Sequence, residues 1–432
     1  MHGYARRTTP NLEALARDSV VFDHAFTQWP KTVPAVAALL TGRYGHSTGV
    51  MRVTTGQHLP DGELTIAEHF RQHGYATGAF LSTAALHSGT NLFQGFDVVE
   101  ETYRSPRPFA RTTTRALEWI RKADRPFFVW TFYTNAHHPY AGHDAPPGLF
   151  VGDEHYDASV KLPLNDASEL PLAVPEDHPF RDQILRPDMY GVRKGVRLPE
   201  FPRDRAFYIA RYDAGIFGAD HRIGELLRGI ADLLPNTIVV VVGDHGESLG
   251  DQQYYFGHGR LPYDPVTRVP FLIKPAGGHP PGRTTQPVPT FSLFPTVVDL
   301  AGLPQPPNIE APSLAPLLRG GPGPARVYTE SGYALDFQLT VRDERWKLIY
   351  IPDALDRSLM TGSEFELYDV ASDPHESRNV FDANPREARR LQYDLLTWSQ
   401  HWRARSRVVR PGAAGPIDSQ TEEQLRSLGY LR

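Results

Sequence analysis

Apolar and polar positions along the chain change period many times, and the changes come in a repeated order. "PNLEALARDS" spaces its apolar residues for one face of a helix, with Thr9 and Pro10 as a start signal. "VVFDHAF" follows as a short strand. Pro34 to Leu40, within "TVPAVAALLTGR", read as a helix ended by Gly42. "TIAEHFRQHGY" then "ATGAFLS", and "TTRALEWIRKA" then "PFFVWTFYT", repeat the helix-then-strand order. The longer run "RAFYIARYDAGIFGADHRIGELLRGIADLL" leads into the strand "TIVVVVG"; "RVPFLIK" and "TFSLFPTVVDLAGL" add a strand and a helix. Such alternation predicts an α/β fold, a mostly parallel sheet sandwiched by helices. A strand apolar on both faces, such as "TIVVVVG", suits a buried parallel position. In open sheets of this type ligands collect beyond the carboxyl ends of the strands. Chemistry is therefore expected just after each strand.

The pattern breaks twice. From Ala141 to about Pro202 the chain is rich in Pro, Gly, Asp and His without a period, and is long for a connector. It reads as a lid or substrate wall. After "LRGGPGPARV" the pattern turns antiparallel, with "RVYTES", "FQLTVRD", "RWKLIYI" and "FELYDV" followed by the helix "PREARRLQYDLLTWSQHWRAR". The expected division is an α/β unit over residues 1–325 and a small C-terminal α+β subdomain over 326–432.

Composition narrows the function. The 432 residues, 40% hydrophobic and 22% charged, are ordinary for a globular protein with a full core. A net charge of −5 is no footprint for nucleic acid or an anionic membrane. The absence of cysteine excludes disulfides, thiolate metal sites and a Cys nucleophile. No apolar run reaches the length of a membrane span, and the first residues lack the apolar core of a signal peptide. Localisation stays open.

Three stretches carry candidate chemistry. In "TIVVVVGDHGESLGDQQYYFGHGR" a strand delivers Asp244 and His245, a carboxylate and an imidazole suited to a divalent ion, with His258 further on. The same Asp-His-Gly could equally be a capping turn. In "PFFVWTFYTNAHHPY" a strand delivers Asn135, His137 and His138. In "WPKTVPAVAALLTGR" Thr32 stands at the mouth of a helix, where free N–H groups favour an oxyanion. Thr32 is either an N-cap or a nucleophile whose hydroxyl is made acidic by a metal.

With their neighbours, these stretches resemble the sulfatase family of the alkaline-phosphatase superfamily. "TPNLEALA", "TVPAVAALLTGRYGHSTGV", "GDHGESLGD" with "HGRLPYDPVTRVPFLIK", and "RWKLIY" with "ELYDVASDPHESRNV" match in order over nearly the whole chain. The tail "EEQLRSLGYL" resembles endings of bacterial members. The resemblance implies an alkaline-phosphatase-like fold and a metal-dependent hydrolase of small anionic esters. It places Thr32 at the nucleophile position, Asp244 and His245 with Thr32 around a Ca, Mn or Zn ion, and His137 and His258 on the ester oxygens.

The chain also departs from the family pattern. Thr32 stands where the family has a Cys or Ser converted to formylglycine. Its Cβ carries a methyl, so no aldehyde and hence no formylglycine is expected. That tilts the expected chemistry toward phosphodiester, phosphonate or phosphate substrates. The alternatives are a true sulfuric ester hydrolase, arylsulfatase-like, and a non-catalytic binding protein. Val36 replaces the family's Arg, and "GAFLSTAALHSG" stands in place of an oxyanion-binding segment. Lys31, Arg43 and His87, with His138, are the candidates to bind substrate instead. The family's first strand, which ends in acidic ligands, is not matched. The reading frame upstream of Met1 is expected to encode an apolar strand ending in Asp.

Overall fold

The computed structural model describes residues 3–51, 58–138, 140–161, 204–252, 254–259, 261–278, 280–332, 337–352, 357, 362–406 and 417–427. The expected lid therefore lies largely outside the described residues; its first part, 141–161, contains turns and no helix.

The first half follows the predicted order. Helix α1 (Pro10–Ala16) precedes strand β1 (Val20–Phe26), and α2 (Thr32–Thr41), α3 (Gly45–Thr48) and α4 (Ile66–Gln72) lead to β2 (Ala76–Leu81). Strand β3 (Val98–Glu100), helix α5 (Pro108–Ile120) and β4 (Phe127–Phe132) complete a three-stranded sheet. Its order is β3-β2-β4 and all its pairings are parallel, with Gly78 between Val98 and Val129. Gly78 is needed there because a Cβ would press on the Trp119 indole of α5 at 3.0 Å.

After the long helix α6 (Arg205–Gly229) come β5 (Val239–Val242), the hairpin β6 (Ser248–Asp251) and β7 (Tyr254–Gly257), the short α7 (Asp264–Thr267) and β8 (Arg268–Lys274). Strands β9 (Gly282–Thr284) and β10 (Val288–Pro289) and helices α8 (Leu293–Leu300) and α9 (Ala315–Leu318) close this part. The second sheet has the order β10-β1-β8-β5, with β9 also beside β1. Here β8 runs antiparallel to both β1 and β5. A hairpin and one short helix link β5 to β8, and an antiparallel neighbour needs no crossover helix.

The chain is thus an α/β fold with a parallel core sheet flanked by helices, and a distinct α+β region at its C-terminal end. One expectation is corrected. Strands β4 and β5 are apolar on both faces, yet every residue in each is only half-buried. Among the described residues, β4 pairs only with β2 and β5 only with β8, so one edge of each lacks a strand.

The main core lies between the sheets and α2. Val33, Val36, Ala37 and Leu40 pack with Phe22, Leu81, Phe271 and Phe294. All ten residues of α2 are buried, which is why this helix is apolar around its whole circumference. Gly42 ends it in the left-handed region at φ 63°. Toward the C-terminus, β11 (Val327–Ser331), β12 (Gln338–Arg342), β13 (Trp346–Tyr350) and β14 (Phe365–Asp369) form an antiparallel sheet. Helix α10 (Pro385–Ser406) lays Ala388, Leu391 and Leu395 on it, and Trp29, just ahead of α2, joins that second core. Asp264 of α7 accepts hydrogen bonds from Arg342 of β12 and Lys347 of β13, tying this sheet to the rest. The last helix, α11 (Ser419–Ser427), returns to the region around Tyr103.

Candidate active site

Helix α2 begins at Thr32, two residues earlier than the apolar pattern predicts. Lys31 has extended backbone and holds the cap position, so Pro34 falls in the first turn, where its missing N–H breaks no helical bond. Thr32 is thus not the N-cap. Its Oγ1 lies 3.0 Å from Nε2 of His245. The Thr32 residue is only 3% exposed.

Strand β5 delivers Asp244 and His245 from its carboxyl end, and the turn is fixed at Gly246. The Gly246 N–H donates to the Val266 carbonyl at 2.9 Å. A Cβ at Gly246 would collide with the Pro265 carbonyl. Nδ1 of His245 is 2.8 Å from the Gly246 carbonyl, so it carries the proton and donates. Nε2 is then left with a lone pair, and the Thr32 hydroxyl donates to it. Asp244 Oδ2 stands 3.5 Å from the same Nε2.

Strand β4 delivers His137 and His138. Nδ1 of His137 donates to the His138 carbonyl at 2.6 Å, fixing its tautomer in the same way. Close approach of α6 shapes this loop. A Cβ at Gly215 or Gly218 would strike the backbone carbonyl of Asn135 or of His143. His258 comes from the segment after β7, and its Nδ1 is 3.1 Å from Glu247 Oε1, both side chains being almost fully buried. Ring centroids lie 4.2 Å apart for His245 and His258, and 5.7 Å for His137 and His258. His138 is 4.1 Å from His137.

The electrostatics follow from burial. Burial lowers His137 to about 4, with His245 and Lys31 adding to it and the His138 carbonyl opposing. Burial also holds His258 well below the usual imidazole value, helped by His245 and Lys31. Glu247 is pushed up to about 8 by burial, against the hydrogen bond from Tyr140 and the charge of Lys31. At neutral pH the cluster holds uncharged His137, His258 and Glu247, with Lys31 within electrostatic reach of all three.

The structure brings together Thr32, Lys31, His137, His138, Asp244, His245 and His258. It does not bring in Arg43, which sits past the far end of α2 and is paired with Glu63 at 2.5 Å. Nor does it bring in His87, whose Nδ1 accepts from the Gly89 N–H to cap a short turn. Asn135 is buried and its amide donates to the His143 carbonyl and Asp144, a loop-holding role. Glu247 and Tyr140 were not singled out from the sequence. Both stand within two residues of a flagged histidine, Glu247 in "DHGES" and Tyr140 in "HHPY", and only burial makes them notable.

The donor set does not fit a divalent ion by itself. Asp244 and His245 offer one carboxylate and one imidazole, whereas zinc takes four ligands and calcium six to eight. Among the described residues no group of three or more His, Asp or Glu side chains converges.

The sulfatase family model matches residues 1–303, well over half of the chain. The chain belongs to the sulfatase family. A second model, for the C-terminal part of N-sulphoglucosamine sulphohydrolase, matches residues 250–398. Among curated sulfatases, the chain is similar to arylsulfatase K of Gallus gallus, 26% identical over 97% of this chain and 81% of that one. It is also similar to the choline-sulfatase of Rhizobium meliloti, 25% identical over 87% and 78%. Solved structures share the fold. The phosphonate monoester hydrolase of Agrobacterium radiobacter superposes with a TM-score of 0.68 at 20% identity, over 94% of this chain and 92% of that one. A 2-O GAG sulfatase gives 0.66 at 23% identity, over 98% and 95%. As a sulfatase, the protein is an ester hydrolase acting on anionic sulfate or phosphate esters. Members of the family depend on a metal or on formylglycine, and the described residues of this chain show no specific metal site.

Proposed function

We propose that this sulfatase is a sulfuric ester hydrolase that uses unmodified Thr32 as its nucleophile and His245 as the base. The observation that carries the reading is the 3.0 Å contact between Thr32 Oγ1 and the lone pair of His245 Nε2. A nucleophile touching a base whose other nitrogen is held by a third group is the arrangement that activates a weak alcohol. The curated relatives given above are named as sulfatases, which favours sulfate over phosphate.

In this reading the Thr32 oxygen forms a bond to sulfur as the ester S–O bond breaks, and the Thr32 proton passes to His245. The departing oxygen accepts a hydrogen bond from Nε2–H of His258, and the alcohol takes its proton from water. Glu247, being protonated, orients His258 through Nδ1. Lys31 and His138 bind the non-bridging oxygens. Water then attacks sulfur and gives its proton to solvent, and the Thr32 oxygen leaves and takes back the proton held by His245. Sulfate is released without the diol collapse that formylglycine provides. The division of the chain at 325/326 belongs to the same proposal, the second unit standing behind α2 through Trp29.

A second reading has its own observation: the hydroxyl of Thr32 suits a phosphoryl half-ester, and phosphonate monoester hydrolases share the fold. Turnover of 4-nitrophenyl sulfate, bis-4-nitrophenyl phosphate and 4-nitrophenyl phenylphosphonate, measured side by side, separates the two. The expected order puts the sulfate first. Faster phosphodiester or phosphonate turnover transfers the assignment to the second reading. Equal rates for wild type and Thr32→Ala on all three would overturn both.

A further inference from the structure

The hairpin that leads to His258 is irregular twice. Ser248 of β6 pairs with Gly257 of β7, Leu249 with Tyr255, and Asp251 with Tyr254. Between these pairs Gly250 is the extra residue on β6 and Phe256 the extra residue on β7. The two bulges cancel. One step beyond the last pair, Glu247 therefore stands opposite His258, and their side chains meet at 3.1 Å. Without the bulge at Phe256 the ladder would set Gly257 opposite Glu247 and carry His258 one residue further on. A slip of one residue also turns a side chain to the other face.

The bulges are built from unlike residues. Both have positive φ, 115° at Gly250 and 51° at Phe256. Glycine adopts such a backbone freely, whereas a bulky residue does so only when its surroundings force it. Two tyrosines surround Phe256. The ring of Tyr208, on α6, lies 5.3 Å away at 56°, and that of Tyr140, two residues after His138, 5.9 Å away at 66°. All three residues are at most 1% exposed. His258, two residues after the bulge, has its ring 4.2 Å from that of His245. Bulges beside active sites commonly re-aim a side chain, and strained backbone collects there.

We propose that Phe256 is a positioning residue for the ester hydrolysis: clamped between Tyr140 and Tyr208, it holds a strained bulge that brings His258 opposite Glu247 and into the site. It acts through His258 and not on the ester. The inference rests on the proposed role of His258 at the departing oxygen.

Variants of the full chain test this on whichever of the three 4-nitrophenyl esters above turns over fastest. Phe256→Ala removes the clamped ring and keeps a Cβ that resists positive φ; kcat is expected to fall at least about tenfold, with KM changed by less than about twofold. Phe256→Gly removes more of the side chain, yet glycine takes the bulge without strain, and it is expected to keep about threefold more of kcat than Phe256→Ala. A residue that merely fills the core would give the opposite order. Added to His258→Ala, Phe256→Ala should lower kcat no further, because two residues acting through one group do not add. An alanine variant as active as the glycine one, or a full further loss in the double variant, would overturn the inference. Tyr208→Ala loosens the clamp from α6 without altering the hairpin. It takes the place of Phe256→Ala if that chain does not fold by circular dichroism, with the same expected loss and the same non-additivity. If no ester is hydrolysed, or His258→Ala leaves kcat unchanged, the proposed function is what fails. The proton–nitrogen correlation spectrum of the His258 ring then decides for Phe256. A larger shift of the ring nitrogens in Phe256→Ala than in Phe256→Gly upholds the positioning, and any other result overturns it.

Discussion

Oγ1 of Thr32 and Nε2 of His245 lie 3.0 Å apart although 213 residues separate them. The Gly246 carbonyl on the opposite nitrogen decides which of the two atoms holds the proton. Thr32→Ala should abolish turnover and His245→Ala should lower kcat by about 10²–10⁴, the usual range for a lost general base. Thr32→Ser should retain much of the rate. Steady-state kinetics on 4-nitrophenyl sulfate, with circular dichroism as a folding check, measure this.

Glu247 orients His258 without reaching the ester. Glu247→Gln keeps an uncharged hydrogen-bonding side chain and should leave kcat near the wild-type value at pH 7. Glu247→Ala should lower kcat about fivefold with KM little changed, the worth of one hydrogen bond of ~1 kcal/mol.

His46 and Glu330 share a single proton in the core, Nδ1 to Oε1 at 2.6 Å. Burial holds His46 down to about 2 and Glu330 well above its usual 4.5. The folded pair therefore keeps one proton at pH values where the separated groups would hold two or none. Below about pH 4.5 the unfolded chain binds a second proton, so stability falls with acid. Above about pH 6.5 the unfolded chain gives up the proton that the folded pair retains, so stability falls again until the raised Glu330 carboxyl ionises. Urea unfolding from pH 3.5 to 8.5 should show a maximum between these limits. Glu330→Gln should remove the alkaline decline and start the acid decline near pH 6.5.

Asp264 holds the C-terminal sheet to the first unit. Although burial opposes it, the charges of Arg342 and Lys347 keep this carboxylate ionised below the usual range. Asp264→Asn leaves Arg342, 6% exposed, without that counter-charge and Lys347, 2% exposed, with Glu376 alone. Breaking a buried pair in this way costs about 3–5 kcal/mol. The cost should appear as a lower midpoint in urea or as a separate early transition of residues 326–432. The contribution is present above the ordinary Asp value of 3.8 and is lost as acid protonates the group.

Zinc, manganese or calcium chloride titrated calorimetrically into the dialysed chain should bind weakly, at about micromolar Kd or worse, since Asp244 and His245 supply only two of the ligands such ions take. Nanomolar uptake would show that further donors converge there.

The order of helices and strands is legible in the chain because apolar period is a local property. Residues 10–16, 76–81, 268–274 and 385–406 fold as their patterns predict. Three stretches of the site are legible for the same reason: each polar residue follows an apolar run. Their mutual distances are not legible, nor is the direction of β8, because pairing depends on contacts between residues far apart in sequence. Arg43 and His87 show the limit. Both are cationic or ionisable residues near a flagged segment, and the fold turns one to Glu63 and the other to a backbone turn. The paired glycines of α6, Gly215 and Gly218, are the sequence feature that marks another backbone passing close to that helix.

What the sequence determined by itself is the element order, the apolar circumference of α2 and the types of residue available for chemistry. What only the tertiary structure decided is that the hydroxyl at position 32 meets a lone pair on His245, that Glu247 is buried enough to stay protonated, and that Phe256 is clamped into a bulge beside His258. Period is written in neighbours along the chain. Proton positions and strained backbone depend on what packs around them, and that exists only once distant segments have met.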